Sequence, residues 1–206
     1  VSLRQRIELK PMPEPWLNEM ATAHHYMRQA IHPRANPFGW AILFDGQMCQ
    51  PDGKPSGFII FASVHFTQLK NEFGFPGLPT KWQVLLLSRL WLHDNLPKLS
   101  ETCVIGKALK LVQRRWLEVH PPRFIDEPYH ILKVISYANT RLFEGTIYKA
   151  ANFRDDGLTK SQKRHKNTRG AGLDGDLLRR YIYDLKKPNW QYRPIGQQMS
   201  LFEGAM

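Results

Sequence analysis

Gln83-Val-Leu-Leu-Leu-Ser-Arg-Leu-Trp-Leu-His93, then a polar loop, then Cys103-Val-Ile-Gly-Lys-Ala-Leu-Lys-Leu-Val112 is the stretch that decides the fold. The first run reads as an apolar strand and the second as a helix whose first turn carries Gly106. Free backbone N–H groups and the positive end of the helix dipole suit a helix start to holding a phosphate, and a glycine there admits close approach. The same glycine is also what tight packing near a helix start requires, so both readings stand at this point.

Working outward, Gly39–Phe44 and Gly57–Ser63 are apolar and bounded by turn residues, which predicts two strands joined through Asp45–Ser56. Upstream, Trp16, Met20, Ala23 and Met27 fit a helix over Glu14–Ile31, stopped by Pro33. Pro11, Pro13 and Pro15 predict an extended arm over residues 1–20. Val64–Lys81, rich in Gly, Phe and Pro, is expected to be a long loop. Downstream, Ser100 is the expected N-cap of a helix running to about His120, ended by Pro121 and Pro122. Tyr129–Tyr137 is expected as a strand, Thr146–Phe153 as a short helix and Leu177–Leu185 as the last strand. The domain expected on this pattern spans 21–187, with a tail over 188–206.

Two cysteines in 206 residues are too few for a disulfide framework, and Cys49 and Cys103 lack metal-ligand spacing. With 42% hydrophobic and 12% aromatic residues the chain can build a core. No apolar run approaches the roughly 20 residues needed to span a bilayer, and the polar start is unlike a signal peptide. The expectation is a soluble, cytoplasmic protein with no membrane partner.

The net charge of +11 points to a polyanionic partner, because clustered Lys and Arg release counterions from a phosphate backbone. Lys160, Lys163, Arg164, Lys166 and Arg169 fall within ten residues containing no acid, and form the expected contact to nucleic acid. A solvated surface loop is the alternative, and a membrane surface fits less well because this run has no apolar face.

The order of elements, with Ile147-Tyr148-Lys-Ala-Ala-Asn152-Phe153 near the end, resembles the GCN5-related acetyltransferases. In that superfamily the tyrosine lies beside the acyl-CoA sulfur and protonates the departing thiolate, and the glycine-bearing helix binds the pyrophosphate. The fold implied is α/β, a mixed and mostly antiparallel sheet with flanking helices and a V-shaped splay between strands 84–93 and 129–137. Acetyl-CoA or another acyl-CoA is the implied cofactor, held by Leu90, Leu92 and the run Cys103, Val104, Ile105, Gly106, Lys107 and Ala108. Cys103 stands where the superfamily motif has Arg or Gln, so one phosphate contact is either lost or supplied elsewhere, by Lys107 or Lys98.

His25-Tyr26, Leu87-Ser-Arg-Leu-Trp91 with Asp94, Ile105-Gly106, Ser136-Tyr-Ala138 and Gly145-Thr-Ile-Tyr-Lys-Ala-Ala-Asn-Phe153 together are similar to the Mom family. That resemblance covers roughly residues 24–185. It implies modification of the adenine N6 amine in phage DNA to the carbamoylmethyl form, which blocks host restriction. Iron is implied by the resemblance alone, for no His, Asp and Glu pattern here has facial-triad spacing. Asn139 stands where the family has an aspartate, and an amide can orient a base but not accept a proton at neutral pH.

The adenine amine is a poor nucleophile, so a catalyst must orient it, remove a proton and stabilise an oxyanion. Tyr148 is the candidate acid. His25 is a candidate base, metal ligand or adenine contact, or else an exposed surface histidine. Arg89, alone in an apolar strand, needs a partner: Asp94, Glu127 or a phosphate. Ser136 and Asn139 either hold the oxyanion or base edge, or serve in turns. Trp40, Phe73, Phe75 and Trp82 either stack an extruded base or pack in the core. A carbamoylmethyl group attaches through CH2, so acetyl transfer alone does not produce it. An ordinary N-acetyltransferase acting on RNA or protein amines, and an inert DNA-binding protein of the same fold, are the other readings. A homodimer is compatible with all three.

Overall fold

The computed structural model describes residues 1–64, 83–120, 130–159 and 177–186. They form α1 (Leu3–Arg6), β1 (Ile7–Met12), α2 (Glu14–His24), β2 (Phe38–Phe44), β3 (Gly57–Ser63), β4 (Val84–Leu92), α3 (Ser100–Val119), β5 (Lys133–Asn139), α4 (Thr146–Ala150), β6 (Arg154–Thr159) and β7 (Leu178–Asp184). The strands make one seven-stranded sheet in the order β1-β2-β3-β4-β5-β7-β6. Every pairing is antiparallel except β4 with β5. That parallel pair is bridged by α3, as a parallel connection requires a long crossover.

The two sheet faces are read from strand alternation. Phe38, Trp40 and Ile42 of β2 and Ile59 and Phe61 of β3 meet α3, whose stripe Val104, Ala108, Val112 and Trp116 repeats every four residues. Each fully buried side chain of this kind contributes on the order of 1.5–3 kcal/mol, which holds α3 to the sheet. On the other face Phe58, Ile60 and Ala62 of β3 meet Leu17 and Ala21 of α2 and Ile31. β2 is buried along almost its whole length because both its faces are covered.

β4 carries the feature that opens the sheet. Its register against β3 slips between Ile60 and Phe61, which pair with Arg89 and Leu87, so Ser88 is the extra residue of a bulge. On its other side β4 pairs with β5 only at Val84–Lys133, Leu85–Val134 and Leu86–Ile135. Beyond Leu86 the two strands run on without pairing, giving the expected V-shaped splay.

Several boundaries differ from expectation for local reasons. The proline-rich start is not a free arm: β1 is an edge strand paired to β2, with Pro11 opposite Trp40. An edge strand tolerates a proline because its N–H side can face solvent. α2 stops at His24, not Ile31, since the His25 ring accepts the Met27 N–H at 3.2 Å and Arg28 takes a positive φ of 44°. Ile31 is instead tied back to α2, its N–H donated to Asn18 Oδ1 at 2.9 Å. The N-cap of α3 is Leu99 at φ 72°, and Ser100 donates its hydroxyl to Pro97 O. Gly106 therefore lies in the second turn of α3, not its first. α4 ends at Ala150, and β6 was not expected. The predicted loop 64–81 falls outside the described residues after Val64, as do the basic run 160–169 and the tail 188–206.

Candidate active site

The splay encloses a cavity of about 470 Å³ between Leu87–Leu90 of β4, Tyr137 and Ala138 of β5, residues 142–148, and His25 with Tyr26. Its floor is the bulge, and α4 hangs over it. α4 starts at Gly145, at φ 73°, where an added Cβ would lie 2.0 Å from the Tyr181 hydroxyl. Only glycine lets the chain turn there against Tyr181, whose hydroxyl donates to Glu144 O at 3.3 Å. That turn sets where Tyr148 points.

The Tyr148 ring stacks on Tyr181 at 5.0 Å and meets Phe153 edge-on at 5.6 Å. The hydroxyls of Tyr148 and Ser136 are hydrogen-bonded. Ser136 is buried and donates its one proton to Leu87 O at 3.0 Å, so it accepts from the phenol. A chain from phenol to serine to the β4 backbone thus runs along the cavity wall. Burial is the largest influence on the Tyr148 phenol and pushes its pKa up. The phenol holds its proton at neutral pH and is a donor.

Across the cavity, His25 is 5% exposed, and its pKa is driven down to about 3 by burial and then by the charge of Arg89. Its Nδ1 accepts the Met27 N–H, so in the neutral ring the proton sits on Nε2. His25 is therefore placed to donate a hydrogen bond; acting as a base would require the opposite tautomer. Tyr26 packs at a tilt against the His25 ring, centroids 4.3 Å apart, and against Phe143 at 5.3 Å. Tyr26, Leu142 and Phe143 are all exposed and form an aromatic and aliphatic lip at the cavity.

Arg89 lines the same cavity and makes no ion pair with a carboxylate of the described residues, Glu144 of the same lining included. Nη1 donates to Ser88 O at 2.8 Å and to Ser88 Oγ at 3.1 Å, whereas Nε is buried without an acceptor. Asp94 is exposed and not its partner, and Glu127 lies outside the described residues. Burial lowers the Arg89 pKa.

The structure thus brings Tyr148, His25 and Arg89 together, with Ser136 directly behind the wall. Asn139 is fully buried and accepts the Arg141 N–H at 3.0 Å, shaping the turn that leads to the lip without lining the cavity. Leu90 lines the cavity, but Leu92 packs in the core. Val104, Ile105 and Ala108 are fully buried against the sheet, so their side chains cannot meet a cofactor. Cys103 packs at the edge of that core. Lys107 donates to Ile7 O and is thereby committed to β1, which leaves exposed Lys98 near the start of α3. Trp40 is core, at 2% exposed; Phe73, Phe75 and Trp82 are outside the described residues. Sequence reasoning passed over Ser88 and Phe143. A serine beside the lone arginine of β4 was the available signal for the first, and nothing local marks the second.

The donors among the described residues do not fit an iron ion. Among the described residues no group of three His, Cys, Asp or Glu side chains converges, and the Nδ1 of His25 is already occupied. No described helix is long and apolar enough to cross a membrane.

A parallel pair that splays beside a bulge, backed by a long helix and capped by a tyrosine-bearing turn, defines a GCN5-related acetyltransferase fold. The same architecture occurs in Arabidopsis thaliana NAA60 in complex with acetyl-CoA, at TM-score 0.54 and 12% identity over 87% of this chain and 98% of that one. It occurs also in a Sinorhizobium meliloti phosphinothricin acetyltransferase in complex with AcCoA, at TM-score 0.53 and 7% identity over 93% and 95% of the two chains. By sequence, none of the curated proteins matches. The Mom protein family matches residues 6–172, and the chain belongs to it.

Proposed function

We propose that this protein is an acyl-CoA-dependent transferase that modifies the N6 amine of adenine in double-stranded DNA, in a carbamoylmethylation-like reaction that protects the DNA from restriction. The observation that carries this reading is the splay cavity, into which one wall presents a phenol backed by a serine relay. Membership of the Mom family supports the substrate, as does the net charge of +11. Acyl-CoA, when bound, would supply an activated acyl group and a thiolate leaving group; the carbamoylmethyl form, joined to N6 through CH2 and carrying a second nitrogen, needs a nitrogen donor and an N–CH2 bond-forming step besides that transfer.

The residues present fit that group. Past Leu86, β4 makes no backbone ladder with β5, and although the Leu87 and Ser88 carbonyls accept from Ser136 and Arg89, the strand edge beyond them is suited to bonding an extended amide-bearing chain. The α3 N-terminus, with Lys98 nearby, is the end suited to phosphates. Tyr148 holds the proton to be given to a departing thiolate, and Ser136 steadies the phenol by accepting from it. His25 Nε2–H donates to an acceptor on the base or on the developing oxyanion. The lip of Tyr26 and Phe143 offers a stacking surface for a base lifted from the duplex.

Nucleosides from cells expressing the wild-type protein and Tyr148→Phe, analysed by mass spectrometry, test the reading. The expected result is a modified deoxyadenosine with the wild type, reduced about 100-fold or more in the variant, in the range of a lost general acid. Unaltered adenine with abundant, folded wild-type protein would overturn it. Transfer of labelled acetyl groups to tRNA or bulk protein in place of DNA would favour the ordinary N-acetyltransferase.

A further inference from the structure

We infer that Arg89 is the anion-binding element of a carboxylate subsite inside the splay cavity, so that one substrate at this centre carries a carboxylate. The proposal rests on the reading of the cavity as the reaction centre, and extends it to the class of group handled there.

Arg89 sits in mid-strand, on the floor of the cavity, and its cross-strand partner is Ile60. Residues opposite one another share a face, and Ile60 packs toward α2, so Arg89 belongs to the α2 side of the sheet together with His25. That is the face away from α3, where the phosphate end of a carrier would lie. The guanidinium has lost much of its water, and the described part of the chain gives it no counter-ion. Among the described residues its acceptors are the carbonyl and hydroxyl of the adjoining Ser88, both uncharged. A buried charge kept without an ionic partner is costly, and proteins offset such a cost where the partner arrives with the ligand. The cavity is the open space that Arg89 lines, together with His25, neutral at physiological pH, Tyr26, protonated there, and the exposed Glu144, which makes no ion pair with Arg89.

One positive charge next to a neutral imidazole matches one negative charge. A phosphodiester also carries one, but brings a sugar on each side into a space of about 470 Å³ that must also take an acyl end. A carboxylate is terminal and planar, and suits a single guanidinium. It arrives either on the acyl group of the carrier or on a separate small acid bound beside it; the chemistry at Arg89 is the same.

Calorimetric titration of the full chain with acetyl-CoA and malonyl-CoA, in wild type, Arg89→Gln and Arg89→Lys, reads the first source. The expected result is malonyl-CoA binding at least tenfold more tightly than acetyl-CoA in the wild type. In R89Q that preference should collapse to within twofold, with partial recovery in R89K. For the second source, sodium malonate is added to protein saturated with acetyl-CoA, and a melting-temperature rise in the wild type that is absent in R89Q supports a separate acid. No preference and no malonate effect, in protein that binds acetyl-CoA, overturns the subsite. Should acetyl-CoA itself fail to bind, the cofactor reading falls, and the malonate shift measured alone decides the subsite. Circular dichroism melts of both variants establish that they fold.

Discussion

His25 ends α2 with its own ring, and that one contact fixes both its tautomer and its protonation. In the unfolded chain its pKa is near 6.5; in the fold it is about 3. A depressed value means the unfolded state binds the extra proton, so stability is fully present above pH 6.5 and is lost as pH falls toward 3. Between pH 7 and pH 5 this group alone should remove about 2 kcal/mol, an order-of-magnitude figure. Urea unfolding at the two pH values should show that loss in the wild type and a smaller one in His25→Asn, whose amide can still accept the Met27 N–H. Equal losses would mean the ring is hydrated and not buried. Tyr148 was readable from its spacing to Phe153, and Arg89 from being a lone cation in an apolar run. The donor character of His25 was not, because it depends on a backbone N–H presented by a bend with a positive φ at Arg28.

Among the secondary elements, α3 and α4 carry glycines of opposite meaning. An added Cβ at Gly106 meets nothing within 4 Å, so no packing in the structure accounts for a glycine inside this helix. Gly106→Ala should stabilise the free protein by roughly 0.5–1 kcal/mol through helix propensity. Weaker acyl-CoA binding in the same variant would locate a ligand against that turn, and unchanged binding would place the ligand elsewhere. Gly145→Ala should instead destabilise by about 1–3 kcal/mol, by strain at a positive φ and collision with Tyr181, and should displace Tyr148. Thermal melts and modification activity read the two effects together. The apolar strands β2, β3 and β4 announced themselves by composition. β1 did not, because Pro11 argues against a strand unless the strand lies at an edge. β6 was hidden by its Arg and Asp content, which is satisfied by ion pairs with β7 that only the folded register creates. The start of α3 was misplaced because Leu99 adopts a left-handed conformation that its side chain does not advertise.

Over the molecule as a whole, many charges on the described surface are already paired. Arg6 meets Asp45, Arg114 and Arg115 meet Glu118, and Arg154 and Arg180 share Asp156. Exposed pairs of this kind add little stability, but they do neutralise field locally. The run from Lys160 to Arg169 contains no acid, so it is the proposed source of affinity for DNA. Replacing Lys163, Arg164 and Lys166 with alanine should weaken duplex binding and lower the slope of log K against log salt by about 2–3. A slope left unchanged would put the polyanion on another surface.

The margins of the sheet have a further bearing on assembly. At one, Pro11 removes a donor from the outermost ladder; at the other, β6 breaks register between Asp155 and Leu158 around Gly157 at φ 88° and is studded with Arg154 and Asp156. Both described rims are thereby poor templates for another chain, which guards against fibrous stacking. Pairing of two copies is expected to use helices or loops and to leave the seven described strands as one sheet.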